Sequence, residues 1–251
     1  MRKDMGKSTQ TPRAEAGFSV IELVITLAVL SIVLAATFRL VGLATARSST
    51  EQSKLDMFQE AREFMDQISR DLRQAGAPSY RNFTAAALVN SPAQNNSRVA
   101  AGLIKVAEDE LWFEGDVNGD GTVSVVHYWL DPSTTNNCPC LKRSQLPKVD
   151  NADVYTGQTT PAYQTEVQGV ENTAVFAAFL KGTTGTPVSL PVNFNGNGAT
   201  IASIDTIQAV LTVRAPLPDP ETHRRPVSTL VITTRLNNCS MAAIERPNSC
   251  R

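Results

Sequence analysis

Apolar positions fall along this chain in three successive patterns. From Phe18 to Phe38 they are nearly continuous, 21 residues interrupted only by a few hydroxyls and one carboxylate, Glu22. That is long enough for a helix to span a bilayer. From Arg47 to Ala75 there is no Gly or Pro, and apolar residues recur at Phe58, Ala61, Met65, Ile68, Leu72 and Ala75. Alternating steps of three and four draw one narrow stripe on a helix. Its other faces carry Glu51, Lys54, Glu60, Arg62, Glu63, Arg70 and Arg73. Gly76 and Pro78 then supply a stop signal. A helix from Phe18 to Ala75 would extend roughly 87 Å at about 1.5 Å per residue. Gly42 is where it should bend or locally unwind. The stripe fits packing on a sheet made by the rest of the chain; a short coiled coil with a partner is the rival reading of the same periodicity.

Beyond Gly76 the pattern shortens to strands bounded by turn residues. Candidates are Ala101–Val106, Glu110–Glu114, Thr122–Leu130, Ala174–Leu180, Thr206–Ala215 and Ser228–Leu236. "TIQAVLTVRA" and "STLVITTRL" are the clearest, being rich in β-branched residues with partial alternation. Two stretches rich in Asn, Ser, Pro and Thr, Pro78–Ser97 and Pro132–Pro161, are expected to be surface loops. A third polar insert, Gly182–Gly198, contains "NFNGNG", and "PLPDPETHRRP" should be a long hairpin connection between the last two strands. Helix first and strands after it predicts an α+β fold: a long N-terminal helix on a mainly antiparallel sheet.

Charge adds direction to this plan. The 17 residues before Phe18 carry Arg2, Lys3, Lys7 and Arg13 against Asp4 and Glu15, a net of +2. Positive charge ahead of the first apolar segment holds that end in the cytoplasm and sends the rest of the chain across. The run is too long for a secretory signal, and no A-x-A cleavage site follows it. Glu22 is the anomaly, because a carboxylate at the centre of a bilayer costs roughly 2.5–3.5 kcal/mol. Whole-chain composition, 42% hydrophobic and 19% charged with a net charge of -1, suits a globular remainder and points to no nucleic-acid partner.

The first segment resembles the type IV prepilin family. Gly17 ends a polar leader, Phe18 begins an apolar run, and Glu22 is its fifth residue. The resemblance implies cleavage by a prepilin peptidase after Gly17 and N-methylation of Phe18, with Glu22 acting in assembly. Ala16 departs from the family, which often has a basic residue there. "QEAREFMDQISRDLRQAG" is similar to the end of the spine helix in PilW-type minor pilins. "EVQGVENTAVFAAF", "IDTIQAVLTVRA" and "STLVITTRL" look like successive strands of that family. The J-type minor pseudopilin of type II secretion shares the plan and is the close alternative. The implied organisation is a cleaved leader (1–17), a transmembrane half of the spine (18–43), an amphipathic half (44–76) and a periplasmic β-rich domain (77–251). Implied partners are the prepilin peptidase, other minor and major pilins, and the inner-membrane assembly platform. The implied location is the inner membrane, then the pilus.

Chemistry is sparse. "GDVNGDGTVS" sets Asp116, Asn118 and Asp120 at alternate positions before Gly121, the first half of an EF-hand-type Ca²⁺ loop. Thr122 would add its carbonyl and Ser124 the ninth position, but His127 stands where the bidentate Glu belongs. Asp131 is a candidate to complete the site. The other reading is a hairpin turn, for which Asn-Gly and Asp-Gly are strong signals. Four cysteines, Cys138, Cys140, Cys239 and Cys250, suit an oxidising compartment. Cys239–Cys250 is the favoured pair. Cys138 and Cys140 are too close for an easy bridge, so they remain thiols, form a strained pair or reach elsewhere. Neither His127 nor His223 lies at zinc-ligand spacing from them. With no nucleophile elbow, phosphate loop or H-E-x-x-H, no enzymatic role is expected. Glu114 with Asp116, and the basic "HRR" at His223–Arg225, read as solvated loop ends. A membrane-anchored periplasmic binding module is the alternative of a different class.

Overall fold

The computed structural model describes residues 17, 19–88, 92–135, 138–181 and 185–237. The apolar run and the striped segment form one helix, α1, Val20–Gln74. Within that helix the chain divides into two compact units, between Ser49 and Thr50.

In the first unit every described helical residue is exposed, Ile21, Leu23, Ile25, Leu30, Ile32 and Phe38 among them. α1 is long and apolar enough to cross a membrane. Its few hydroxyls are satisfied inside the helix: Thr26, Ser31 and Thr37 donate to the carbonyls of Leu23, Leu27 and Val33, each at 2.8 Å. Such back-bonding removes the cost of a free hydroxyl in hydrocarbon. α1 continues through Gly42 without the expected unwinding. One glycine costs a helix only about 1 kcal/mol, too little to interrupt a strongly helical surround.

In the second unit α1 buries Met57, Ala61, Phe64, Met65, Ile68, Asp71 and Leu72. The stripe is wider than the sequence pattern suggests. Phe58 is only half-buried, while Met57 and Phe64 take core positions. The reason is that α1 shares one apolar core with two sheets. The first has six strands: β1 (Leu103–Val106), β2 (Glu110–Gly115), β3 (Ser124–Asp131), β4 (Cys140–Pro147), β5 (Gln164–Gln168) and β7 (Val192–Asn193), in the order β5-β4-β3-β2-β1-β7. The second has three: β6 (Phe176–Leu180), β8 (Ile204–Arg214) and β9 (Val227–Arg235), with β8 in the centre. Every strand pairing is antiparallel. A short helix, α2 (Gly198–Ser203), precedes β8. Ile68 and Leu72 meet Leu111, Phe113, Tyr128, Ile207 and Leu211 in this core. Each such fully buried aliphatic side chain contributes about 1.5–3 kcal/mol. The stripe is therefore covered by the chain's own sheets, not by a coiled-coil partner.

All six expected strands form, and the hairpin between β8 and β9 spans "PLPDPETHRRP" as read. Three loop expectations need correction. Pro132–Pro161 contains β4, whose "CLKRSQLP" reads as polar. It pairs over its whole length with β3, so its polar residues lie on a ladder whose burial comes from neighbours. The Gly182–Gly198 insert contributes β7 to the edge of the large sheet. Pro78–Ser97 is not a free surface loop either. Tyr80, Phe83, Leu88 and Ala93 lie against a second apolar cluster, with Val99, Ala101, Ile104, Trp112, Val125 and Val154. That segment covers the face of the large sheet opposite α1.

Candidate functional site

The most elaborate polar cluster lies where the end of α1 meets the large sheet. Asp71 falls on the buried face of the helix, three residues after Ile68 and four before Ala75. Its Oδ2 accepts hydrogen bonds from the Tyr128 hydroxyl at 2.6 Å and from Arg143 Nε and Nη2 at 3.1 and 2.8 Å. Arg143 Nη2 also donates to Gln145 Oε1 at 2.7 Å. Tyr128 and Arg143 face each other across the β3–β4 ladder, so one carboxylate ties the helix to two strands. Burial and then the Asp71 charge hold the Tyr128 phenol well above its ordinary pKa. Ser69 gives α1 a second tie, accepting from Thr234 Oγ1 of β9 at 3.1 Å.

The helix end is set by close backbone approach. Gly76 adopts φ 81°, the left-handed stop, and its N–H donates to Glu114 O at 2.9 Å. Ala75 bridges Gly115, and a Cβ on Gly115 would lie 2.5 Å from the Gln74 carbonyl oxygen. Glu114 itself is not a solvated hairpin acid. Its side chain and that of Lys148 are fully buried and paired at 2.6 Å. Lys148 Nζ also donates to the carbonyls of Val99, at 2.8 Å, and Gln94, while Ala101 N–H donates to Glu114 Oε2 at 2.9 Å. Burial raises the Glu114 pKa and lowers that of Lys148, each against the pull of the other. This pair fastens the covering segment to the sheet.

His127, on the same outer face, is buried and stacks on Trp112 with ring centroids 4.2 Å apart. Tyr155 also stacks on Trp112, with ring centroids 5.3 Å apart. Burial, with the Lys105 charge, lowers the His127 pKa to about 4.

The loop of Asp116, Asn118, Asp120, Thr122 and Ser124 joins β2 to β3 as a hairpin, with Gly115 paired to Ser124. Asp116 accepts from the N–H groups of Asp120, at 3.1 Å, and Gly121, at 2.9 Å; Asp120 accepts from Thr122 at 2.8 Å. Asn118 Oδ1 and Ser124 Oγ both accept from Gln145 Nε2. Gly119 and Gly121 take positive φ, 71° and 84°, as the turn requires. Asp131 cannot complete a cation site there. It is seven residues along β3 from Ser124, about 23 Å at roughly 3.3 Å per residue, and pairs with Lys142 at 2.6 Å.

Cys138 and Cys140 are bonded to each other; Cys239 and Cys250 lie outside the described residues. In the β8–β9 connection His223 has φ 54°, and its N–H donates to Asp219 O at 2.9 Å, within an exposed turn.

At the other end of the chain, Gly17 is exposed, Phe18 lies outside the described residues, and Glu22 sits in the first turn of α1. Glu22 and Leu23 both donate their N–H to Ser19 O, at 3.0 and 3.1 Å, so the helix starts just after the junction. Residues 12–38 match the prokaryotic N-terminal methylation motif. That match supports a type IV pilin-like or pseudopilin-like protein handled by a prepilin peptidase at the membrane. No curated protein matches the chain.

The methylation motif was legible as sequence; the Asp71–Tyr128–Arg143 and Glu114–Lys148 clusters were missed. For Asp71 a signal existed, since it stands on the heptad face between Ile68 and Ala75. For Lys148 none did, because its partner is 34 residues away.

Proposed function

We propose that this chain is a minor type IV pilin of the PilW-like kind: a non-enzymatic subunit that helps initiate or cap a filament. It is inserted with its N-terminus in the cytoplasm, cut between Gly17 and Phe18, methylated on Phe18, and drawn into the filament by the assembly platform. One observation carries the reading: a methylation motif opens an apolar helix that continues unbroken into a helix docked on antiparallel sheets. Glu22 acquires its purpose there. After cleavage the new amine of Phe18 is four residues from Glu22 in the sequence, about one helical turn; in a filament the amines of adjacent subunits can come near it too, and a buried charge is tolerable when paired.

The test is Glu22→Ala in the full-length chain, followed by immunoblots of sheared filaments and of membranes. The expected result is at least a tenfold loss from the filament fraction with unchanged membrane insertion. Equal recovery in filaments would overturn the proposal and favour a simple anchored binding module. Mass spectrometry of the mature N-terminus should find methyl-Phe18. Recovery only in a filament that depends on secretion genes would instead support the pseudopilin alternative.

A further inference from the structure

Among the described residues the two sheets have four outer edges, and three of them are protected. β7 is two residues long, and β5 has five residues with a register shift opposite Leu141/Lys142. β6 has a register shift at Phe179/Leu180, and its edge is covered where Val188 N–H donates to Ala178 O at 2.8 Å. Short, bulged or covered edges are how sheets avoid pairing with other chains. β9 has none of these devices. It is nine residues long, pairs with β8 in unbroken register from Arg214↔Val227 to Thr206↔Arg235, and contains no Pro, Gly, Lys or acid.

The ladder shows what this edge presents. Ala215 N–H donates to Pro226 O at 2.8 Å, and Leu236 N–H to Asp205 O at 2.7 Å, at the two ends of the same register. Even-numbered residues of β9 therefore turn their N–H and C=O toward β8. The alternation of an antiparallel ladder turns those of Val227, Thr229, Val231, Thr233 and Arg235 outward. The side chains of these same five residues are exposed, with Val227 at 55% and Val231 at 59%. A row of outward donors and acceptors flanked by exposed β-branched side chains fits one kind of ligand, another extended strand.

We propose that β9 is a strand-addition site, paired in the assembled filament with an edge strand of a neighbouring subunit. This rests on the pilin reading. A second copy pairing β9 to β9 is disfavoured by symmetry. The two-fold axis of such a pair is perpendicular to the sheet. It would reverse the Thr50–Gln74 part of α1, which lies on that sheet, so the two Thr50 ends would point in opposite directions. Copies anchored in one membrane enter from the same side.

The test uses the full-length chain in cells assembling filaments, with a benzophenone amino acid at position 229, 231 or 233. Filaments are sheared, irradiated, and the cross-links mapped by mass spectrometry. Strand pairing requires that the linked residue on the neighbour move by two for each two-residue step of the probe. Val231→Pro gives the second arm. The Val231 N–H faces away from β8, so proline removes an edge donor without removing a rung of the existing ladder. At least a tenfold loss of the 229 and 233 cross-links is expected, with the unfolding midpoint unchanged. Three results would overturn the proposal: cross-links without register, links to position 231 of a second copy, or cross-links insensitive to Val231→Pro. If the chain is missing from the filament fraction altogether, the pilin reading falls with it; if it is present but unlinked, only the strand proposal falls.

Discussion

The two parts of α1 on either side of Ser49–Thr50 share one backbone geometry and carry opposite surfaces. Before the division every described residue is exposed, and most are apolar; after it a single face is buried under two sheets. Each part also holds one carboxylate in an apolar setting. Asp71 is enclosed by Tyr128 and Arg143, whereas Glu22 has no side-chain partner among the described residues. A buried acid with its partners in the same chain belongs to folding. For Glu22 the proposed filament supplies the partner that the described residues do not.

The largest test of this contrast is Asp71→Ala against Glu22→Ala in one unfolding assay, in detergent, followed by the fluorescence of Trp112 and Trp129. Removing Asp71 strands the Arg143 charge and the Tyr128 hydroxyl, and should cost about 3–5 kcal/mol. Glu22→Ala should change the same transition by less than about 0.5 kcal/mol. If the two variants unfold alike, the division of roles is wrong.

A smaller effect is expected from pH. His127 stays neutral in the fold down to about 4, while in the unfolded chain it takes a proton below its ordinary value of 6.5. The unfolded state then binds more protons, so stability falls as pH drops from 6.5 toward about 4, by roughly 3 kcal/mol over the window. Glu114, with its pKa raised by burial, pulls the other way. The difference between the native chain and His127→Phe isolates the histidine: the variant should lose this slope, measured as the denaturant midpoint at pH 7 and pH 4.5.

The smallest contrast uses one substitution in both parts of the molecule. Gly115→Ala places a methyl against the Gln74 carbonyl and should cost about 1–3 kcal/mol. Gly42→Ala meets nothing within 4 Å and should cost nothing. Thermal unfolding of the two variants side by side would show whether the close approach of α1 to β2 is as tight as it looks.

Periodicity made the helix and the strongest strands legible, because Ile68, Leu72 and the β-branched runs of β8 and β9 reveal their burial locally. β4 escaped because Lys142, Arg143 and Gln145 are polar and their order comes from pairing with β3. The covering segment escaped for a similar reason. Tyr80 and Phe83 are isolated apolar residues among turn formers, and only the sheet face they land on makes them a layer. At the site, Gly17, Phe18 and Glu22 form a short linear motif, which sequence carries completely. Asp71 with Arg143 is a contact across 72 residues.

What the sequence determined by itself was the linear part: a membrane-length apolar run, its methylation motif, the striped continuation and an α+β order. These depend on residues within a few helical turns of one another. Tertiary structure decided how the stripe is covered, which acids are paired, and that among the described residues β9 is left with an open edge. Such features arise only when distant strands come together. Backbone hydrogen bonds and buried charges take their partners from whatever the fold brings alongside, and no local pattern encodes that neighbour.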